Sequence, residues 1–222
     1  KHMEYFHTSE ALKVGWEKFK AHFLFLWMTL GATIVVSVIF GIFEDMTKDI
    51  AMLSFVIGLA STFFSMIMRL GLTRLYLDLV DKNEEGKLNV LFSYYGLFFR
   101  YLGASILFGL MVAGGLILLI VPGIYLGLKY QFFSYLIVDK ELGVLDSLKE
   151  SSQITQGVKW QLFGFSLALI GINILGALAF GIGLLVTIPL TVVAHVFVYR
   201  KLSTRLMLVP VTVPLVTAEN KG

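Results

Sequence analysis

The chain contains no cysteine. That excludes disulfides, thiol catalysis and thiolate metal sites. Charge is scarce as well: 15% of its 222 residues are charged, where a soluble domain has about 25%. No carboxylate falls deep inside an apolar run, which argues against a proton or cation relay through Asp or Glu. No phosphate-cradling loop and no zinc-protease helix pattern is present. No carboxylate or second histidine is placed to complete a metal site with His195, so no metal or cofactor is expected. The basic residues follow a membrane topology rather than a patch, which leaves nucleic acid without support as a partner.

What the chain has instead is apolar length. Hydrophobic residues make up 57% of it and its mean hydropathy is +0.83. A membrane crossing needs ~20 apolar residues. Six runs qualify, at about 22–43, 50–69, 97–113, 115–137, 160–180 and 183–202. The fold class expected is all-α integral membrane, with six transmembrane helices as three hairpins. Turns are expected at 44–49, at Gly114-Gly115 and at 181–183. Those three connections hold one basic residue, Lys48, of the 18 Lys and Arg in the chain. The asymmetry places both termini and the two longer loops in the cytoplasm. Residues 1–2 read as a cloning scar before Met3, 3–202 as one membrane domain, and 203–222 as a short cytoplasmic tail.

The hairpins read as three parallel repeats, at about 8–80, 81–138 and 139–202. GGLILLIVPGIYLGLKY, from Gly114, and GIGLLVTIPLTVVAHVF, from Gly181, start 67 residues apart (181 − 114). That spacing aligns Gly109 with Gly176 and Pro122 with Pro189. DKNEEG, from Asp81, matches DKELG, from Asp139. A cytoplasmic interfacial amphipathic helix is expected before each hairpin. In the first, Leu12, Trp16, Phe19 and Phe23 form one helical stripe. The second is KLNVLFSYY and the third GVLDSLKESSQITQG. The small-residue rows Ser105-Gly109-Ala113 and Asn173-Ala177-Gly181, and the pair Gly123/Gly127, are expected to let helices approach closely. The same faces would serve a homo-oligomer or a membrane protein partner.

Few residues offer chemistry. His195 and Asn173 are the polar groups deepest in the expected spans. Each is either interhelical glue or a substrate contact. Pro122 and Pro189 each remove a helix donor, so kinks are expected at both. Arg69, Arg100, Lys129 and Arg200 fall near the cytoplasmic ends of spans two, three, four and six, and Trp160 opens span five. These are the candidates for anionic lipid headgroups. Gly103-Ala104-Ser105 with His195 hints at an intramembrane serine protease, but Ile106 stands where that motif has Gly.

The run from PGIYLGLKYQFF through DKELGVLDSLKESSQITQGVKWQLFGF to GIGLLVTIPLTVVAHVFVYRKL resembles a bacterial family of six-span membrane proteins. The family includes uncharacterised inner-membrane proteins. It is similar to the membrane domain fused to some glycerophosphoryl diester phosphodiesterases. The resemblance is clearest from Gly109 to Leu202. It implies a multi-pass protein of the bacterial inner membrane and supplies no catalytic residue to carry over. The resulting expectation is a non-enzymatic protein that binds lipid, organises the membrane or supports a partner. The alternatives are a small-molecule or ion transporter using Asn173 and His195, and an accessory subunit of a lipid-phosphodiester enzyme.

Overall fold

The computed structural model describes residues 6–179 and 181–208. The expected scar at 1–2 and residues 209–222 of the expected tail lie outside them. Within the described residues the chain is helical and has no strand. A short helix, α1 (Thr8–Ala21), precedes the long hairpin of α2 (Phe23–Thr47) and α3 (Ala51–Lys82). Two 3₁₀ turns, Leu88–Phe92 and Tyr95–Leu97, lead into α4 (Phe98–Leu118). Then come α5 (Ile120–Tyr130), α6 (Phe133–Lys140), α7 (Val144–Ile154), α8 (Lys159–Leu178) and α9 (Leu184–Leu208). Five segments are long and apolar enough to cross a membrane: α2, α3, Asn89–Leu118, α8 and α9. The chain is therefore compatible with a multi-pass membrane protein.

Burial is concentrated at one end of the bundle. Leu70 and Leu77 of α3, Leu136 and Ile137 of α6, Leu148 of α7, Leu162 of α8 and Tyr199 of α9 share one core there. The basic residues gather at this same end, called the basic end below. At the opposite end large apolar side chains are open: Met52 is 82% exposed, Ile117 86% and Ile182 71%. Such a surface is costly in water and ordinary in hydrocarbon. The α2–α3 turn there also carries the exposed charges Glu44, Asp45, Lys48 and Asp49.

The fourth expected span differs from a single helix. Its turn comes at Leu119, whose backbone is extended (φ −164°, ψ 148°), five residues beyond Gly114. It is then split into α5 and α6 at Gln131–Phe132. The break leaves the Lys129 carbonyl without its helical donor. Two hydroxyls of α7 and the turn after it take that place: Ser151 Oγ donates to it at 3.2 Å and Thr155 Oγ1 at 3.0 Å. Phe132 N–H in turn donates to Ser151 Oγ at 3.2 Å. An amphipathic segment expected to lie at an interface is thus a splint for a broken helix.

α1 also turns a different face inward than its bulky stripe suggested. Ala11, Gly15 and Phe19 are buried, while Trp16 and Phe23 are 44% and 51% exposed. Small residues win because α1 lies tightly along α9: a Cβ on Gly15 would stand 2.7 Å from the Leu190 carbonyl oxygen. The second amphipathic segment forms 3₁₀ turns, not an α-helix. Close approach elsewhere involves one expected residue, Gly123, and otherwise falls outside the expected small-residue rows. Gly115 meets Gly123 across one hairpin turn and Gly176 meets Gly183 across another. Gly109 and Gly127 face open space.

Candidate functional site: a polar seam and a basic rim

α6 and α9 run side by side in the same direction, joined by two rungs four residues apart. In the first rung, Tyr135 OH meets His195 Nδ1 at 3.0 Å, and His195 Nε2 meets Gln131 Oε1 at 3.2 Å. Gln131 spends its amide nitrogen on the Leu128 carbonyl, at 3.2 Å. That leaves Oε1, an acceptor only, toward the histidine. His195 Nε2 therefore carries the proton and Nδ1 accepts from Tyr135. Both ring nitrogens are used, and the rings of Phe132 and Phe165 flank the imidazole at 5.0 and 6.2 Å. In the second rung, Tyr199 OH donates to Asp139 Oδ2 at 2.8 Å.

Arg200 closes the seam. It makes a fork to Asp139, at 2.5 and 2.8 Å, and reaches Asp81 of α3 with its second terminal nitrogen. A guanidinium held by two carboxylates is not free for a lipid phosphate, which corrects the role expected for Arg200. Asp81 and Asp139 both end helices as Asp-Lys-X, and X is left-handed in both: Asn83 has φ 57° and Glu141 φ 51°. These are the positive-φ residues other than glycine among the described residues.

The other expected residues fall as follows. Asn173 Nδ2 donates to Thr191 Oγ1 at 3.3 Å, across α8 and α9, and its Oδ1 is buried without a partner. Pro189 is inside α9, at a kink-permitting position. Pro122 is the third residue of α5, where a helix makes no use of the missing N–H. No mid-helix kink follows there. Ser105 is in α4 and has no hydrogen bond to His195, so the protease pattern is not assembled. Among the described residues no three His, Asp or Glu side chains gather to hold a metal.

The basic rim is different in kind. Arg69, Lys129 and Lys159 make no ion pair with a carboxylate among the described residues. Arg100 donates to the Glu141 carbonyl. Lys129 Nζ stands over the Tyr130 ring at 4.9 Å. Lys159, which opens α8, donates to Tyr125 OH at 2.5 Å and stands 4.1 Å from the centre of that ring. Trp160 beside it is 83% exposed. Lys159, Tyr125 and Trp160 edge a groove of about 470 Å³ between α5 and α8, walled by Val121, Ile124, Leu128 and Phe163. The expected set named Trp160 here and missed Lys159 and Tyr125, and its Lys129 is not among the groove's walls. The available signal was a lysine directly before a tryptophan at a helix start. On α1, Lys18 ties the helix to α3 through the Leu79 carbonyl at 3.1 Å and Asn83 Oδ1 at 2.6 Å. Burial pushes its ammonium below the ordinary lysine value, and the charge of Asp81 opposes that shift.

Residues 110–206 match the family described as Protein of unknown function (DUF975). The match takes in α5 to α8 whole and most of α9, and so the groove and the α6–α9 seam. Asp81 and the hairpin of α2 and α3 lie outside it. Uncharacterized proteins of Mycobacterium bovis and Mycobacterium tuberculosis are 32% identical to the chain over 110 residues, which is 47% of this chain and 33% of theirs. The chain spans about a third of the length of the curated relatives it matches. No solved structure matches. Nothing in these matches links the chain to glycerophosphoryl diester phosphodiesterases.

Proposed function

We propose that the chain is a non-enzymatic protein of a bacterial inner membrane that binds anionic lipid at its basic end. There it organises the surrounding bilayer or holds a partner protein, another copy of itself included. The basic end and both termini face the cytoplasm on this reading. The observation that carries it is the groove between α5 and α8. It joins the Lys159 ammonium, which has no carboxylate partner among the described residues, an exposed tryptophan and a tyrosine to an apolar trough, the arrangement expected where headgroup meets hydrocarbon. The seam supports it from the other side. His195, Tyr135, Asp139 and Arg200 are spent on one another, as structural glue requires.

The same reading makes α5 and α6 together one crossing, the fourth in chain order, which brings the total to six. From Ile120 to Lys140 is about 30 Å of helix, the thickness of a hydrocarbon core. It also treats α3, α5–α6 and α9 as copies of one unit. The shared left-handed residues after Asp81-Lys82 and Asp139-Lys140 support a repeat. So do the glycine pairs across the turns, spaced by 61 (176 − 115) and 60 (183 − 123). A register of about 61 then replaces 67, because the second turn comes later than Gly114.

The test is native mass spectrometry of the purified chain released from mixed bilayers. Retained lipid is expected to favour phosphatidylglycerol over phosphatidylethanolamine, with the preference reduced in Lys129→Ala/Lys159→Ala. Retention indifferent to headgroup charge would overturn the proposal.

A further inference from the structure

The hairpin of α2 and α3 is untouched by the family match, yet its contact with α4 leaves two adjoining hollows. The first, of about 380 Å³, is polar: Arg69, Ser61, Thr62, Ser65, Tyr101 and Ser105 are among its walls. The second, of about 430 Å³, is apolar, with Leu59, Phe63, Phe98 and Leu102 among its walls. Thr62 and Met66 line both. The two hollows thus share a wall, and are called the head and tail chambers below.

The polar chamber has unspent groups. Arg69 is exposed and its guanidinium makes no hydrogen bond or ion pair among the described residues. The hydroxyls of Ser65, Ser105 and Tyr101 likewise have no partner there. Ser61 and Thr62 are already engaged: Ser61 Oγ donates to Glu44 Oε1 at 2.9 Å and to the Gly58 carbonyl at 3.0 Å, and Thr62 Oγ1 donates to the Gly58 carbonyl at 2.8 Å. Glu44 of α2 thus meets the chamber only through Ser61, two helical turns of α3 away from Arg69. No carboxylate lines either hollow.

The depth suits a headgroup. Arg69 comes 18 residues after Ala51 (69 − 51), about 27 Å along the helix, close to the full hydrocarbon thickness. Tyr101, which faces the same chamber, is in the first turn of α4. An arginine without a counter-ion at that level is expensive unless something anionic meets it. A guanidinium fork matches a phosphate in two parallel hydrogen bonds. The tail chamber says the phosphate comes with a chain attached.

We propose that the cleft between α3 and α4 holds one anionic phospholipid, its phosphate on Arg69, its headgroup hydroxyls against Ser65, Ser105 and Tyr101, and one acyl chain along Phe63, Phe98 and Leu102. The inference rests on the lipid-binding reading but names a second site, on another pair of helices. It differs from the α5–α8 groove in offering an unengaged guanidinium among several hydroxyls rather than one ammonium held against Tyr125.

The experiment titrates the full chain in detergent with phosphatidylglycerol, phosphatidylethanolamine, diacylglycerol and inorganic phosphate, with adducts counted by native mass spectrometry. Wild type is expected to hold one tight phosphatidylglycerol that survives in Lys129→Ala/Lys159→Ala. Arg69→Ala is expected to weaken it roughly tenfold or more, the loss of a charged hydrogen-bonded contact. Arg69→Lys is expected to restore part of it. Ala60 lines the tail chamber with Leu102; Ala60→Phe or Leu102→Trp, which fill it and leave Arg69 in place, should expel the lipid in a chain that elutes and melts like wild type. A tight adduct unchanged in both Arg69→Ala and Leu102→Trp would overturn this site and leave the groove standing. Equal competition by inorganic phosphate would show an anion site without a lipid and overturn it too. No charge preference in wild type would overturn both.

Discussion

Trp27 Nε1–H donates to the Leu185 carbonyl at 3.1 Å, the acceptor that Pro189, four residues on, leaves without a helical donor. A proline inside a helix costs its missing hydrogen bond, and here a side chain of α2 supplies the replacement. The Lys129 carbonyl at the α5–α6 break is satisfied in the same manner by Ser151 and Thr155. Each interruption in a helix is closed by a hydroxyl or indole from elsewhere in the chain. Both closures also pin one element to another.

Trp27→Phe keeps the aromatic volume and removes the donor. It is expected to destabilise the chain by about 1 kcal/mol. Adding Pro189→Ala should recover most of the loss, since the helix then supplies its own N–H. Unfolding of the single and double variants in a denaturing detergent series reads this out. An additive pair would sever the link between Trp27 and Pro189.

Ser151 and Thr155 are both fully buried. Ser151→Ala/Thr155→Val is expected to cost ~2 kcal/mol or more, because it leaves the Lys129 carbonyl and the Phe132 N–H unsatisfied. The loss should appear first at the α5–α6 junction. Faster amide exchange at 129–136 than in α8 is the expected pattern, and uniform exchange would contradict it.

Asp139 and Asp81 share Arg200 unequally. The Asp139 side chain is 12% exposed and that of Asp81 35%. Asp139→Ala is expected to lower stability by about 3 kcal/mol, since it frees a partly buried guanidinium and the Tyr199 hydroxyl together. Asp81→Ala should cost about 1 kcal/mol or less. Thermal melting of the two variants tests the order, and equal losses would mean that Asp81 carries as much of the clamp.

Glycines that look alike in sequence are expected to respond differently to alanine. A Cβ on Gly71 would stand 2.2 Å from the Leu91 carbonyl oxygen and 2.3 Å from its Cα, with backbone on both counts. Gly71→Ala should cost about 3 kcal/mol or fail to fold. Gly109→Ala meets nothing within 4 Å and should be neutral or slightly stabilising. Folded yield by size-exclusion chromatography separates the two.

Composition and local order were enough for the helical class, for most spans, and for the glycine turn before α9. Apolar length and Gly181, which has φ +76°, act within a few residues of themselves. The matched Asp-Lys motifs were legible too, and both turned out to end helices in the same left-handed geometry. The face that α1 buries was not legible. It depends on how closely α9 approaches, and that favours Gly15 over the larger Trp16. The α5–α6 break was hidden because its repair comes from hydroxyls about twenty residues downstream. Arg200 read as a free cation because its partners arrive from Asp139 and Asp81, 61 and 119 residues away. The sequence by itself determined which segments are apolar enough for a membrane, and where the positive charge lies. The tertiary structure alone decided which cations are spent and which remain open, because ion pairing depends on contacts between helices that no local pattern encodes.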